Sequence, residues 1–167
     1  SGATVQLVKD GVTTSIGTKC TFVPANYTST SNTISLKNSR YGTCKYLGDV
    51  FFYKNRYRVD KNTVVDKLHV VNRVPMEQYL YGVIGYEIGS GSHIEALKAQ
   101  AVAARGYAIN QLAPGEPNYE VGDTSSYQVY HGYDGNARVI QAVDATRGQV
   151  VSYNGKVCNT FFGASNG

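Results

Sequence analysis

Glu87 is the carboxylate of this sequence whose surroundings best suit acid–base chemistry. It follows the apolar segment YLYGVIGY, in a glycine-rich stretch that precedes a long alanine-rich segment. A carboxyl group among apolar side chains ionises less readily, which suits a general acid that works near neutral pH. The alternative is an ordinary surface glutamate in a loop, and composition and spacing alone leave it open.

The other acidic residues have simpler interpretations. Ser92 and Glu95 have the spacing of a capping box, with Ser92 as the N-cap of a helix and Glu95 bonding back to it. Glu77 falls in the first turn of an earlier predicted helix, where a carboxylate interacts favourably with the helix dipole. The remaining candidates lie in polar sequence and are predicted to be solvated: Glu116, Glu120, Asp123, Asp134 and Asp144.

The alanine-rich segment also carries polar side chains at helical spacing. Lys98 and Arg105 are seven residues apart, which places them on the same face of a helix. Gln100 and Tyr107 have the same spacing and share a neighbouring face. Two cations and two polar groups on a helix otherwise made of alanine favour a lined groove, and a plain solvated face remains the alternative.

The elements that must position these residues begin with β-structure. The Asp10-Gly11 pair, between ATVQLVK and VTTSIGT, predicts a hairpin with a type I′ turn. Residues 25–40 are polar and rich in turn residues, so we predict a surface excursion there. A second hairpin, turning near Lys54-Asn55, is predicted for DVFFYKNRYRVD, and VVDKLHVVNRV follows as a further strand.

Helical periodicity begins after Pro75. We predict a helix from about Ser92 to Leu112, packed by strands on more than one side, because its apolar stripe is made largely of alanine. A second, shorter helix is predicted in NARVIQAVDATRG, and a closing hairpin at Asn154-Gly155. The chain is therefore predicted to be a single α+β domain over residues 1–167, rich in β-hairpins, with a long central alanine-rich helix. Its β-rich part covers residues 1–73, and its helix-containing catalytic part covers residues 74–167.

Composition and motifs exclude several functional classes. The net charge of +4, with no dense run of lysine or arginine, gives no indication of nucleic-acid binding. No apolar run approaches the ~20 residues of a membrane span. The 3 cysteines and 3 histidines lack a metal-ligand spacing, so we expect no metal and no cofactor. Cys20 and Cys44 could pair in an extracytoplasmic chain, or both could stay reduced.

Four blocks of this sequence resemble the stage II sporulation protein D family and its amidase-enhancer relatives. The blocks are LHVVNRVPMEQYLYGVIGYEI, EALKAQAVAARGYAI, SYQVYHG and TRGQVVSYNGKVCNTFFGASNG. The resemblance extends from Leu68 to the end of the chain, and a run such as ALKAQAVAAR is far more specific than a short motif.

The resemblance implies a lytic transglycosylase that cleaves peptidoglycan strands stripped of their peptides and leaves 1,6-anhydro ends. Glu87 matches the catalytic position, as the single acid and then base of the reaction. Lys98 and Arg105 match positions implicated in activity and would bind the lactyl carboxylates of stripped strands. Further substrate-binding positions in the same blocks are Gln100, Tyr107, Gln128, Tyr130 and Ser165.

The family also implies an extracytoplasmic location at the cell wall, with glycan strands as the partner. A competing class is a non-catalytic peptidoglycan-binding module that enhances a cell-wall amidase. Three departures from the family pattern are visible. Gly106 replaces the usual threonine, Ser125-Ser126-Tyr127 lacks the Cys/His zinc element of some members, and family members continue where this chain stops. We therefore expect a truncated C-terminal end.

Overall fold

Antiparallel β-structure forms the first part of the computed structural model, which describes residues 4–38, 41–112, 121–122 and 127–163. Its strands are β1 (Gln6–Lys9), β2 (Val12–Ser15), β3 (Lys19–Phe22), β4 (Ile34–Asn38), β5 (Gly42–Tyr46), β6 (Asp49–Arg58) and β7 (Val64–Arg73). Strands β1 and β2 form the predicted hairpin, with φ of 51° at Asp10 and 78° at Gly11. Positive φ at both central residues is what a type I′ turn requires, so the prediction is confirmed.

The main sheet has the strand order β3-β6-β7. The length of β6 shows that one predicted turn is wrong. Residues 49–58 form one continuous strand, with Lys54 paired opposite Leu68, so the predicted turn at Lys54-Asn55 is wrong. The chain turns instead after Arg58, where Asp60 Oδ1 accepts the backbone N–H groups of Asn62 and Thr63 at 2.8 and 2.9 Å. An aspartate that binds the backbone two residues ahead is a strong local turn former.

The β4–β5 hairpin lies partly inside the predicted polar excursion. Residues 34–38 pair with residues 42–46, so the later half of that excursion is a strand. Cys44 is buried on β5 and Cys20 lies half-buried on β3. Both are unpaired, as is Cys158.

The helices are α1 (Met76–Tyr81), α2 (Ile84–Ile88), α3 (Ile94–Gln111) and α4 (Ala137–Ala145). The predicted capping box at α3 is wrong by one residue. Ser92 Oγ donates instead to the Ile88 carbonyl at 2.7 Å, at the end of α2. His93 is the N-cap, and its Nδ1 accepts the Glu95 N–H at 3.3 Å. The hydroxyl of Ser92 is thus used to close one helix rather than to open the next.

The core lies where the four helices meet. Helix α3 packs mainly against α1, α2 and α4, and strand β9 (Lys156–Val157) contacts it from the closing hairpin. The expectation of strands on more than one side of α3 is therefore wrong. The residues buried at this junction are Leu80, Val83, Ile84, Leu97, Ala101, Ala104, Val139, Ala142 and Val143.

Gly106 has a packing role in this arrangement. A Cβ at this position would lie 2.6 Å from Thr160 Oγ1 and 3.1 Å from the Cys158 carbonyl, so the glycine lets the C-terminal segment lie directly on α3. Strand β8 (Ser152–Tyr153) and β9 form the predicted hairpin at Asn154-Gly155. The chain is a single α+β domain, as predicted. None of the helices in the described residues has the length and apolar character to cross a membrane.

Candidate active site

Glu87 lies on the short helix α2, which ends at Gly89. The φ of 81° at Gly89 is free of steric cost for glycine and turns the chain towards α3. The side chain is half-buried, and its Oε1 accepts the Val129 backbone N–H at 2.8 Å. Among the described residues, Oε2 accepts no hydrogen bond. The carboxylate is therefore anchored through one oxygen and has the other available for a ligand.

A close backbone approach at Gly82 brings the segment with Val129 against the helices. A Cβ at Gly82 would lie 2.5 Å from the Gly132 carbonyl oxygen and 2.6 Å from the Tyr130 ring. Real Cβ atoms do not approach a backbone oxygen this closely, so a side chain here would displace residues 127–135. The Gly82 contact thus determines where Val129 meets Glu87.

A buried hydrogen-bonded chain lies beside Glu87. The Tyr79 hydroxyl donates to Gln128 Oε1 at 3.0 Å, and Gln128 Nε2 donates to the Ala104 carbonyl at 3.0 Å. Burial raises the pKa of Tyr79, and the negative charge of Glu87 raises it further, so this hydroxyl stays protonated at neutral pH. Nothing in the local sequence indicates this partner of Tyr79, which lies 49 residues away along the chain.

The ring of Tyr130 packs against the ring of Tyr79. The two rings lie 5.0 Å apart between centroids, and the Tyr130 hydroxyl donates to Asn72 Oδ1 at 2.6 Å. Asn72 Nδ2 in turn donates to the Leu47 and Asp49 carbonyls, at 2.8 and 2.9 Å. Burial raises the pKa of Tyr130 well above its ordinary value. Its hydroxyl therefore makes a structural hydrogen bond, which joins the segment before α4 to strand β7.

Arg105, predicted to bind substrate, has its charged group inside the protein. Its side chain is 2% exposed, and the guanidinium binds Glu77 through two bonds, Nε to Oε1 at 3.1 Å and Nη2 to Oε2 at 2.6 Å. Nη1 donates to the Gln149 carbonyl at 2.8 Å. Glu77 also accepts the Gly148 N–H at 3.2 Å, a role that its first-turn position did not predict. This ion pair joins α1, α3 and the chain after α4.

Lys98 differs from Arg105 although both were predicted on one helix face. Its ammonium binds Glu95 at 2.8 Å on the surface, with side-chain exposures of 32% and 66%. Gln100 is half-buried, and its Nε2 has no hydrogen-bond partner among the described residues. Tyr107 packs its ring against Phe161 and Phe162, at 6.0 and 6.2 Å between centroids.

The structure thus brings some of the predicted residues together and separates others. Glu87, Gln128 and Tyr130 meet around Tyr79, and Tyr107 lies close enough to influence the Tyr79 pKa. No hydrogen bond or ion pair between described residues joins Lys98 or Arg105 to Glu87. Ser165 lies outside the described residues.

Ser125 and Ser126, at the position compared with a Cys/His element above, lie outside the described residues. No three His, Cys, Asp or Glu side chains among the described residues lie close enough to hold a metal ion. His131, the histidine that follows the QVY motif, packs instead against the rings of Tyr41 and Tyr86, with centroids 4.0 and 4.8 Å away.

Comparison with known proteins points to one family. A stage II sporulation protein family model (SpoIID) matches residues 65–153, more than half of the chain. The amidase enhancer of Bacillus subtilis is 37% identical over 144 residues, covering 86% of this chain and 18% of that protein. An uncharacterised protein of Brachyspira hyodysenteriae is 43% identical over 102 residues, covering 59% of this chain and 28% of that protein.

The stage II sporulation protein D of Bacillus amyloliquefaciens is 32% identical over 117 residues, covering 59% of this chain and 34% of that protein. The chain thus spans only 18% to 34% of the length of these three relatives. The family match includes α1 to α4 and therefore Glu87, the Arg105–Glu77 pair and the segment with Val129. The chain belongs to the SpoIID family of stage II sporulation proteins.

Proposed function

We propose that this domain is a lytic transglycosylase that cleaves peptidoglycan glycan strands from which the peptides have been removed. The observation that carries the proposal is the Glu87 carboxylate, half-buried and held at Oε1 alone by the Val129 N–H. This arrangement orients the group without neutralising it, because a backbone N–H is a donor and not a cation. A carboxyl group so placed can give a proton to a departing oxygen and take one back.

Five of the eight other acids in the described residues form ion pairs, which favours single-carboxylate chemistry; Asp10, Asp60 and Asp134 do not. The two most buried of these acids are Glu77 and Asp49. They form ion pairs with Arg105 and Arg73. Ion pairs with basic side chains are also formed by Asp66, Glu95 and Asp144. Ordinary glycosidases need a second carboxylate to activate water or to attack the sugar. A lytic transglycosylase does without it, because the C6 hydroxyl of the muramic acid takes the place of water.

In the proposed reaction Glu87 gives up one proton and later takes one back. Glu87 in its acid form protonates the glycosidic oxygen while the bond from the muramic acid C1 to that oxygen breaks. The C6 hydroxyl of the same sugar then attacks C1, and the Glu87 carboxylate accepts the hydroxyl proton. The product has a 1,6-anhydro end, no water is consumed, and Glu87 returns to its acid form.

The remaining predicted residues take two kinds of role in this proposal. Lys98 is the candidate for the lactyl carboxylate, because its surface pair with Glu95 is weak and can exchange for a substrate anion. Arg105 acts as a positioning residue through Glu77. Residues proposed to line or support the groove are Gln100, Tyr107, Gln128, Tyr130 and Ser165.

The experiment is product analysis on stripped glycan strands with Glu87→Gln as the test variant. Loss of a general acid commonly costs a factor of about 100 to 10,000, so anhydro ends should nearly vanish while binding is retained. Glutamine keeps an oxygen for the Val129 N–H, so the fold should be unaffected. Asp66→Asn is the control, because this exposed carboxylate on β7 pairs with Lys54 and has no part in the proposed groove. Reducing ends in place of anhydro ends would contradict the mechanism, since they require water as the nucleophile.

A second candidate function follows from the similarity to a protein named amidase enhancer. In this alternative the domain binds glycan strands without cleaving them and increases the activity of a cell-wall amidase. An experiment with the same stripped strands distinguishes the two functions. Binding without any cleavage product, together with acceleration of an added amidase, would favour the enhancer and reject the enzyme. Both functions place the domain outside the cytoplasm, at the cell wall.

A further inference from the structure

A cavity of about 380 Å³ lies beside α2, on the side of Tyr86. One wall comes from the β4–β5 hairpin, and the other comes from the segment before α4. The lining residues are Tyr41, Thr43, Cys44, Lys45, Tyr86, His131, Tyr133 and Asp134. This volume lies within the roughly 300–1,000 Å³ that is usual for small-molecule sites.

Both sides of the cavity continue directly from the elements that hold Glu87. Tyr86 immediately precedes Glu87 on α2. His131 follows Val129, the donor to Glu87, by two residues in the segment before α4. The cavity is therefore built from the elements that carry Glu87 and its backbone donor.

The walls are held together before any ligand binds. The Tyr133 N–H donates to the Lys45 carbonyl at 2.7 Å. Gly132 has a φ of 85°, and a Cβ there would lie 2.2 Å from the same carbonyl oxygen, so only glycine permits this approach. The hairpin and the segment before α4 thus form a preformed cleft, which lowers the ordering cost of binding.

The lining has the mixed character of a saccharide site. The His131 ring packs between Tyr41 and Tyr86, and the three rings together form an aromatic wall of the cavity that suits the C–H face of a sugar. Burial raises the pKa of Tyr86, with a further contribution from Asp134, so its hydroxyl remains a hydrogen-bond donor. Asp134 Oδ1 accepts the Asn136 N–H at 2.9 Å, which fixes a carboxylate that can accept bonds from sugar hydroxyls.

Lys45 adds a positive charge at the cavity. Its side chain is exposed and pairs with none of the carboxylates in the described part of the chain. In contrast, Lys98 already has a carboxylate partner and Arg105 is buried. Lys45 thus lines the cavity and has its charge available for an anion.

We propose that this cavity is a subsite for one N-acetylmuramic acid of the strand, with Tyr41, Tyr86 and His131 against the sugar ring and Lys45 paired with its lactyl carboxylate. The proposal rests on the proposed glycan-directed function. It adds a recognition element from the β4–β5 hairpin, which lies outside the family match at residues 65–153.

The test is calorimetric binding in a Glu87→Gln background, where cleavage cannot interfere. The ligands are a peptide-free tetrasaccharide of alternating N-acetylglucosamine and N-acetylmuramic acid, and chitotetraose, which lacks lactyl groups. Lys45→Gln should weaken binding of the muramyl ligand about three- to tenfold, as expected for a partly exposed hydrogen bond between charged groups, and should leave chitotetraose within about twofold. Lys9→Gln is the control, because it removes the same charge from the exposed strand β1.

His131→Ala should weaken both ligands about fivefold, because both lose ring contact. A second measurement needs no change in the lining. The His131 imidazole resonances should shift when either ligand is titrated into the Glu87→Gln protein. Unshifted resonances, or equal effects of Lys45→Gln and Lys9→Gln on the muramyl ligand, would overturn the proposal.

These outcomes separate the subsite from the enzyme. Lys45-dependent binding without any anhydro product from the unmodified protein would keep the subsite and reject the transglycosylase. Anhydro products together with binding that is insensitive to Lys45 and His131 would keep the enzyme and reject the subsite.

Discussion

Replacing Arg105 with methionine should destabilise this domain strongly, because Glu77 would remain buried without a cation. The side chains of the pair are only 2% and 13% exposed, and the pair is bidentate. Loss of Arg105 would also remove the donor to the Gln149 carbonyl at 2.8 Å. Breaking a buried ion pair by removing one partner costs about 3–5 kcal/mol.

This cost is large on the scale of the whole molecule. Domains are stable by roughly 5–15 kcal/mol, so the loss is a substantial part of the total. At about 2–4 °C per kcal/mol for a domain of this size, the melting temperature should fall by about 6–20 °C. Urea unfolding followed by circular dichroism gives the free energy of unfolding, and calorimetry gives the melting temperature.

Lys98→Gln is the matched control, on the same helix and with the same loss of charge. Its pair with Glu95 is on the surface, so the free energy of unfolding should change by about 1 kcal/mol or less. The double variant Arg105→Met with Glu77→Leu should recover most of the lost stability, since no buried charge is then left unpaired. If Arg105→Met instead matches Lys98→Gln in stability but loses glycan binding, Arg105 faces the substrate and the reasoning is refuted.

Two further predictions concern the support of the site and its response to pH. Gly82→Ala should destabilise the fold by about 1–3 kcal/mol and lower activity, because the new Cβ would collide with the Gly132 carbonyl and move Val129 from Glu87. Gly91→Ala, where a Cβ meets nothing within 4 Å, should change neither quantity, and equal effects of the two variants would contradict the packing argument. Burial and the hydrogen bond to Asp144 raise the pKa of Tyr81 from 10.0 to about 12. Between these values the folded protein keeps a proton that the unfolded chain has lost, so stability should fall as the pH rises through this window. Tyr81→Phe should make the curve of unfolding free energy against pH flatter above pH ~10, and a curve parallel to that of the parent protein would contradict the assignment.

The sequence by itself determined the features whose causes are local. Asp10-Gly11 and Asn154-Gly155 encode their turns, because each pair adopts the positive φ angles that a tight hairpin needs. The long helix follows from its alanine-rich periodicity, although its first residue depended on whether Ser92 or His93 became the cap. Glu87 could be selected in the same way, from apolar neighbours within a few positions along the chain.

Only the tertiary structure decided which groups oppose one another. The seven-residue spacing of Lys98 and Arg105 predicts that both side chains leave the helix on the same face. It carries no information about which residues pack against that face. Glu77 and Gln149, which surround Arg105, are 28 and 44 residues away in sequence. The same holds for Tyr79 with Gln128, and for the cavity where the β4–β5 hairpin meets the segment with His131. Periodicity specifies which face of an element is apolar, and the packing of distant elements then decides whether a polar side chain on it becomes buried support or a contact for substrate.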